Sequence, residues 1–150
     1  IEYQLGITHL STGRTASAIP HWRRAIEIAK PHVGKRNDAL LRVLTLSIRE
    51  LTKHESLNEL RQNGAARATF ALALAEQGLA RAKGTDNVAA RVVLARAYGI
   101  HATQSARLGE VEQAAHWRQR SLDVWKELSA RPGFLPNYRR EMDDFEGQRP

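Results

Sequence analysis

The sequence predicts an all-α fold in which antiparallel helices stack side by side. Apolar residues recur at spacings of three and four along almost the whole chain, as at Leu40, Leu41, Leu44, Ile48 and Leu51. No segment alternates between apolar and polar residues as a strand does, while alanine and arginine, which both favour helix, are abundant. Turn signals interrupt the pattern and leave short connections, which favours antiparallel packing of consecutive helices.

The turn signals place the helix boundaries in order along the chain. They are Gly13, the segment 31–38 (PHVGKRND), a weak signal at 54–56, a stronger one at Asn63-Gly64, the segment 84–87 (GTDN), Gly109 and Pro132-Gly133. The predicted helices are therefore 1–11, 15–30, 38–62 with a possible break near 55, 64–83, 87–107, 111–130 and a short one at 137–146. Thr15 and Asn87 suit the N-cap position, and Asp38 suits a cap or a first turn.

Composition excludes several classes of protein. The chain has 150 residues, of which 42% are hydrophobic and 26% charged, the balance of a single globular domain. The absence of cysteine excludes a disulfide scaffold, a thiol nucleophile and cysteine zinc sites. No apolar run reaches the roughly 18–20 residues of a membrane span, and no secretory signal opens the chain, so we expect a cytoplasmic protein. It begins at Ile1 inside a predicted helix, which indicates a piece of a longer protein.

The charge is basic but dispersed. Lysine and arginine together number 23 against 16 aspartate and glutamate residues, a formal charge of +7. Such a charge permits nucleic-acid binding. However, both signs are interspersed and no block of five like charges occurs, which favours an ordinary solvated surface.

The chain resembles itself after a shift of about 96 residues. Gly13 then falls on Gly109 and Ala18 on Ala114, and the string HWRRAIEI at 21–28 meets HWRQRSLDV at 116–124. This period is two units of about 48 residues, with units at 1–36, 37–86 and 87–131, although the middle unit matches more loosely. One helix hairpin cannot bury its apolar face alone, so the repeat predicts a solenoid of three stacked hairpins.

Small residues mark the predicted contacts inside each hairpin. Gly6 on the first helix and Ala18 and Ala25 on the second allow close approach, and Leu5 and Trp22 fill the space between the helices. In the last unit the corresponding residues are Ala102, Ala114 and Ser121.

The first unit resembles the tetratricopeptide repeat, whose pattern is Trp-x2-Leu-Gly-x2-Tyr, Ala-x3-Phe and a closing Pro. The matching residues are Leu5-Gly6, Ala18, Trp22, Ala25 and Pro31, while Glu2 and His9 replace the first Trp and the Tyr. The last unit keeps Tyr98, Ala102, Leu108, Gly109 and Ala114 but has His101 in place of Leu. The units are longer than the family's 34 residues. The resemblance implies a right-handed α-solenoid with a concave binding surface and a C-terminal capping helix at about 136–146.

The segment 117–138 (WRQRSLDVWKELSARPGFLPNY) is similar to the C-terminal repeat region of bacterial eukaryotic-like serine/threonine protein kinases. No kinase motif is present, so the resemblance would make the chain a non-catalytic regulatory region.

Motifs of catalysis and cofactor binding are absent. The sequence has no phosphate-binding loop, no G-x-G-x-x-G, no G-x-S-x-G and no H-E-x-x-H, and we predict no enzyme activity, metal, cofactor or small-molecule substrate. Acidic residues at 141–146 could form a carboxylate pair, but the apolar stripe of Tyr138, Met142 and Phe145 favours a capping helix with its acids towards solvent. Likewise, Gly78 could mark a helix-turn-helix, but we favour one long helix.

The predicted function is protein–protein interaction. The family resemblance places seven residues on the concave surface: Gln4, Ile7, Arg49, Lys53, Arg96, Thr103 and Arg107. Four are basic and none is acidic, which favours an acidic peptide or a free C-terminal carboxylate as partner. As exposed charges, Arg49 and Arg96 should contribute little to folding. The kinase-associated region and a nucleic-acid-binding helical domain remain alternatives, the latter the weaker.

Overall fold

The computed structural model describes residues 1–32, 38–82 and 87–148 and is all-helical, without strands in these ranges, as the sequence predicted. Within these ranges it contains seven α-helices and one short 3₁₀ turn, Lys30–His32. The helices are α1 (Glu2–Ser11), α2 (Thr15–Ala29), α3 (Asp38–His54), α4 (Leu57–Arg81), α5 (Val88–Arg107), α6 (Val111–Ser129) and α7 (Pro136–Gly147).

The boundary between α3 and α4 lies at the weaker of the two predicted turn signals. The possible break near 55 is confirmed, and the continuation of that helix to residue 62 is wrong. Ser56 caps α4, since its hydroxyl accepts a hydrogen bond from the Glu59 backbone N–H at 3.2 Å. Gly64 lies inside α4, where an added Cβ would stand 3.2 Å from Gln104 Cγ on α5. This glycine therefore permits close helix packing and does not mark a turn.

Of the other predicted helix caps, one is confirmed and one is wrong. The Asn87 cap is confirmed, since its Oδ1 accepts from the Ala90 N–H at 3.0 Å. The Thr15 cap is wrong: Thr15 is the first helical residue and Arg14 holds the N-cap position without a side-chain cap. Most of the predicted turns 31–38 and 84–87 lies outside the described residues, as does the Asp38 side chain.

Gly78 lies within α4, as the long-helix interpretation predicted. An added Cβ there would stand 3.2 Å from Leu41 Cδ2 of α3. The helix-turn-helix interpretation, which needs a turn at this glycine, is therefore wrong.

The turns after α1 and after α5 have the same construction. Gly13 and Gly109 both have positive φ, 75° and 78°, a conformation that glycine adopts at little cost. In the first turn the Arg14 N–H donates to the His9 carbonyl at 2.8 Å, and in the second the Glu110 N–H donates to the Ser105 carbonyl at 2.9 Å. The sequence period of about 96 residues thus corresponds to a repeated local structure.

Each helix packs against the next in the chain, and α3 also packs against α5. Trp22 is fully buried beside Ala18 of α2 and Leu51 of α3, so the indole joins α2 to α3. The prediction that Leu5 helps to fill this space is wrong, because this residue is 39% exposed. Tyr3, Ile7 and Leu10 pack there instead.

A buried ionic cluster fixes the junction of α3 and α4. Glu55 is 1% exposed and forms ion pairs with Arg67 of α4 and, at 4.0 Å, with Arg23 of α2. Arg107 of α5 donates to the Thr52 and Glu55 carbonyls, both at 2.8 Å, at the C-terminal end of α3. These carbonyls have no partner within a helix, so Arg107 stabilises that end.

Candidate binding groove

A cavity of about 300 Å³ lies between α1, α3 and α5 on one side and α7 on the other. We define the basic groove as the part of this cavity lined by Tyr3, Arg42, Arg49, Lys53, Arg96 and Thr103. Spacings of four and seven residues place its α3 members on one helix face and its α5 members on another. The local sequence therefore aligns each set, and the packing of α3 against α5 brings the two sets together.

A carboxylate of the chain itself lies between the arginines. Arg96 binds Glu141 of α7 with two parallel hydrogen bonds, Nε to Oε1 at 2.6 Å and Nη2 to Oε2 at 2.8 Å. Arg49 adds a third, from Nη1 to Oε1 at 2.9 Å. Paired, charge-assisted hydrogen bonds of this kind are the strongest that arginine forms with a carboxylate.

The prediction that the acids of the last helix face solvent is wrong for Glu141. Its side chain is only 19% exposed, whereas Asp143, Asp144 and Glu146 are exposed. Glu141 follows Tyr138 by three residues and directly precedes Met142, so it stands at the edge of the apolar stripe. The stripe packs towards α5 and α6, which brings Glu141 to the arginines.

A second carboxylate, Glu50, lies behind the groove and is 4% exposed. It pairs with Arg49 at 2.8 Å, His54 at 3.7 Å and Lys53 at 3.8 Å. Burial alone would raise the pKa of Glu50, but the hydrogen bond with His54 and the charges of Arg49 and Lys53 lower it to about 2. Glu50 is therefore ionised at neutral pH and holds Arg49 in place.

Burial and neighbouring charges also act in opposite directions on the pKa of Glu141 and on that of Arg49. Burial would raise the pKa of Glu141, but the hydrogen bond and charge of Arg96, with the charge of Arg49, bring it below its usual range. Burial would lower the pKa of Arg49, but Glu50 and Glu141 raise it above its ordinary value. The pKa of Lys53 is lowered, by burial and by the neighbouring charge of Arg49.

Among the side chains that the structure describes, the groove has more cations than carboxylates. The cations are Arg42, Arg49, Lys53 and Arg96, and the carboxylates that pair with them are Glu50 and Glu141. The outer lining also has one charge of each sign, Arg140 and Asp144. The groove therefore keeps a positive excess and can accept a further anionic group.

Four of the residues predicted on the concave surface, Arg49, Lys53, Arg96 and Thr103, line the basic groove. Gln4 and Ile7 line an adjoining cavity of about 910 Å³, which shares Tyr3, Arg42, Leu46 and Arg96 with the first.

Arg107 lines neither of these two cavities, because it is directed to the end of α3. The expectation that Arg96 is an exposed charge is wrong, because this residue is 7% exposed and pairs with Glu141. Both arginines therefore contribute to the fold.

Sequence reasoning missed Tyr3, Arg42, Glu50 and Glu141. Helical spacing offered a signal for Arg42, which precedes Arg49 by two turns on the same face of α3, and for Glu141 at the edge of its stripe. Glu50 carries no such signal, because only the packing around α3 buries it.

In the described part of the chain, no group of three His, Asp or Glu residues is placed to hold a metal ion. Over the same residues, no helix has the length and apolar character that crossing a membrane requires. No family model matches the chain, and neither does any curated protein or solved structure.

Proposed function

We propose that the chain is a non-catalytic protein-interaction domain that binds an acidic segment of a partner protein in the basic groove. In this proposal α1–α2, α3–α4 and α5–α6 are the three hairpins of a right-handed, tetratricopeptide-like solenoid, and α7 follows them as the capping helix. The observation that carries the proposal is the convergence of Arg96 and Arg49 on one carboxylate. A site that already binds one carboxylate by three hydrogen bonds has the chemistry to bind another.

The shape and lining of the groove favour a peptide over a small anion. The two adjoining cavities share residues, and the apolar side chains Leu46, Ile7 and Val93 lie along them beside the cations. An extended surface that alternates apolar and cationic side chains suits a protein segment, which contributes both kinds of contact.

Several other arginines bind groups inside the protein, which disfavours a surface for nucleic acid. Arg67 and Arg107 are bound to the end of α3, and Arg118 donates to two carbonyls of α7 at 3.1 and 2.8 Å. Guanidinium groups that are committed to internal partners do not contact phosphates. The positive charge of the chain therefore overstates its capacity to bind phosphate.

The test is fluorescence anisotropy of two labelled probes with the full chain: a glutamate-rich peptide and a DNA duplex. We expect peptide binding that Arg42→Glu weakens by about three- to tenfold, because reversal of a single exposed charge removes a modest attraction and adds a repulsion. The matched control is Arg24→Glu, an exposed arginine of α2 that pairs with Glu27 away from the groove. We expect it to leave the peptide affinity unchanged.

Salt dependence separates the two classes of ligand. A peptide held by two to four charged contacts should lose far less affinity between 50 and 200 mM salt than a phosphate binder, which loses about a thousandfold or more. Steeply salt-dependent DNA binding, with no binding of the peptide, would refute the proposal.

A further inference from the structure

We call helices α1–α6 the body of the protein. α7 packs against the body through an apolar face, as a helical ligand packs against a receptor. Met142 is 7% exposed and packs with four buried residues of α5 and α6, namely Val92, Ala95, Trp125 and Leu128. Tyr138 and Phe145 pack at the two ends of the same cluster. Gly99 makes room for Phe145, since an added Cβ would stand 3.2 Å from its ring.

Arginines of the body hold the polar groups of α7. Arg49 and Arg96 bind the Glu141 side chain. Arg118 of α6 donates to the Phe145 and Glu146 carbonyls at the C-terminal end of α7 and lies 5.2 Å from the centre of the Phe145 ring. The order of anchoring groups along α7 is therefore aromatic, carboxylate, apolar, aromatic, at Tyr138, Glu141, Met142 and Phe145.

The helical state of α7 depends on its contacts with the rest of the chain. It has 12 residues, a length at which an isolated helix is only marginally stable in water. It is joined to α6 by a short turn at Pro132 and Gly133, where Gly133 has a φ of 86°, a conformation that glycine adopts at little cost. A segment that competes for the contacts of α7 therefore competes for its folded state.

We infer that α7 is an intramolecular ligand of the basic groove, and that the partner is an acidic amphipathic helix that displaces it. This inference rests on the proposed function and names the partner's chemistry. Loss of α7 takes the carboxylate from Arg96 and uncovers Trp125 and Leu128. Only a segment that supplies both a carboxylate and apolar side chains, at the spacing of Tyr138, Glu141, Met142 and Phe145, restores both sets of contacts.

The experiment uses the full chain and a labelled peptide with the sequence of residues 134–148 as the probe. Glu141→Gln in the chain weakens its own α7 at the carboxylate, and Met142→Ala weakens it independently at the apolar contact. The matched control is Asp143→Asn, which removes an exposed acid of α7 that lies outside the groove.

We expect Glu141→Gln and Met142→Ala each to bind the probe at least tenfold more tightly than the unchanged chain, because loss of a charge-assisted hydrogen bond or of buried apolar contacts costs α7 at least that factor. Asp143→Asn should bind within about twofold of the unchanged chain. Hydrogen exchange should become faster at 136–147 in the two weakened variants, while α3 and α5 keep their protection.

The outcomes separate the two proposals. The unchanged chain and both weakened variants could bind the probe with equal affinity, while Arg42→Glu weakens binding in all three. That result would leave the groove as a peptide site and overturn the competitive role of α7. If no chain binds the probe although hydrogen exchange shows that α7 has opened in the weakened variants, both the peptide site and the competitive role of α7 are overturned. A dimer seen by light scattering at the probe concentrations would place a second copy's α7 in the groove and overturn the assignment of a separate partner.

Discussion

Replacement of Gly6 by alanine tests the close contact between α1 and α2. An added Cβ at Gly6 would stand 2.6 Å from Cδ1 and 2.8 Å from Cε2 of Trp22, distances that real Cβ atoms do not show. The indole cannot withdraw freely, because Trp22 is fully buried beside Ala18 and Leu51 and stacks on His54 at 5.6 Å. The clash must therefore be relieved by movement of α1 against α2.

The magnitude follows from two opposing effects. Overpacking of a filled core costs about 1–3 kcal/mol. Exchange of glycine for alanine inside a helix contributes about 1 kcal/mol in the opposite direction. We therefore expect Gly6→Ala to lower the free energy of unfolding by up to about 2 kcal/mol.

Gly78→Ala is the matched control, since Gly78 also lies inside a helix. Its added Cβ would meet only the methyl end of a half-buried leucine, Leu41, at 3.2 Å, and a small shift of that side chain relieves the contact. We expect this variant to be neutral or more stable by up to about 1 kcal/mol. Urea unfolding of both variants measures the difference, and equal effects at the two glycines would refute the packing of Trp22 against Gly6.

Three further changes test other parts of the structure. Ala18→Leu should overpack the fully buried site beside Trp22 and cost about 1–3 kcal/mol in urea unfolding; a neutral result would contradict the contact. Arg107→Gln should lose the hydrogen bonds to the end of α3 and cost about 1–3 kcal/mol, with faster hydrogen exchange there. The pKa of Glu50 is lowered from 4.5 to about 2, so its stabilisation is present above pH 4.5 and is lost as pH falls towards 2. Glu50→Gln should flatten the dependence of stability on pH in that window, and an unchanged slope would contradict the pairing.

The helices were predictable because apolar periodicity is a local property of the chain. The boundary between α3 and α4 was not, because asparagine followed by glycine usually marks a turn, whereas at Asn63-Gly64 the glycine accommodates a neighbouring helix. Leu5 was misplaced for a related reason. Its register matched the repeat, but the residue is 39% exposed on the finished fold, which the repeat pattern does not reveal.

The groove was predictable in part. Spacing along α3 and α5 places Arg49, Lys53 and Arg96 on facing surfaces, and family resemblance pointed to the same positions. The role of Arg107 depends on carbonyls more than fifty residues earlier in the chain, which no local pattern reveals. The meeting of Glu141 with Arg96 likewise depends on how α7 folds back, a feature of tertiary packing.

The most direct test of the account is the nuclear magnetic resonance of the arginine side chains during titration with the peptide of residues 134–148. The Nε–H of Arg96 donates to Glu141 in the free chain and should donate to the glutamate of the bound peptide. In the Glu141→Gln chain this carboxylate is missing, and we predict that the Nε–H signal of Arg96 then shifts in step with the anisotropy of the probe as the peptide supplies its own glutamate. A peptide with glutamine in place of that glutamate should leave the signal unmoved. Saturable peptide binding that leaves the Arg96 signal in place, with the shifts on α2, α4 or the outer face of α6, would contradict it.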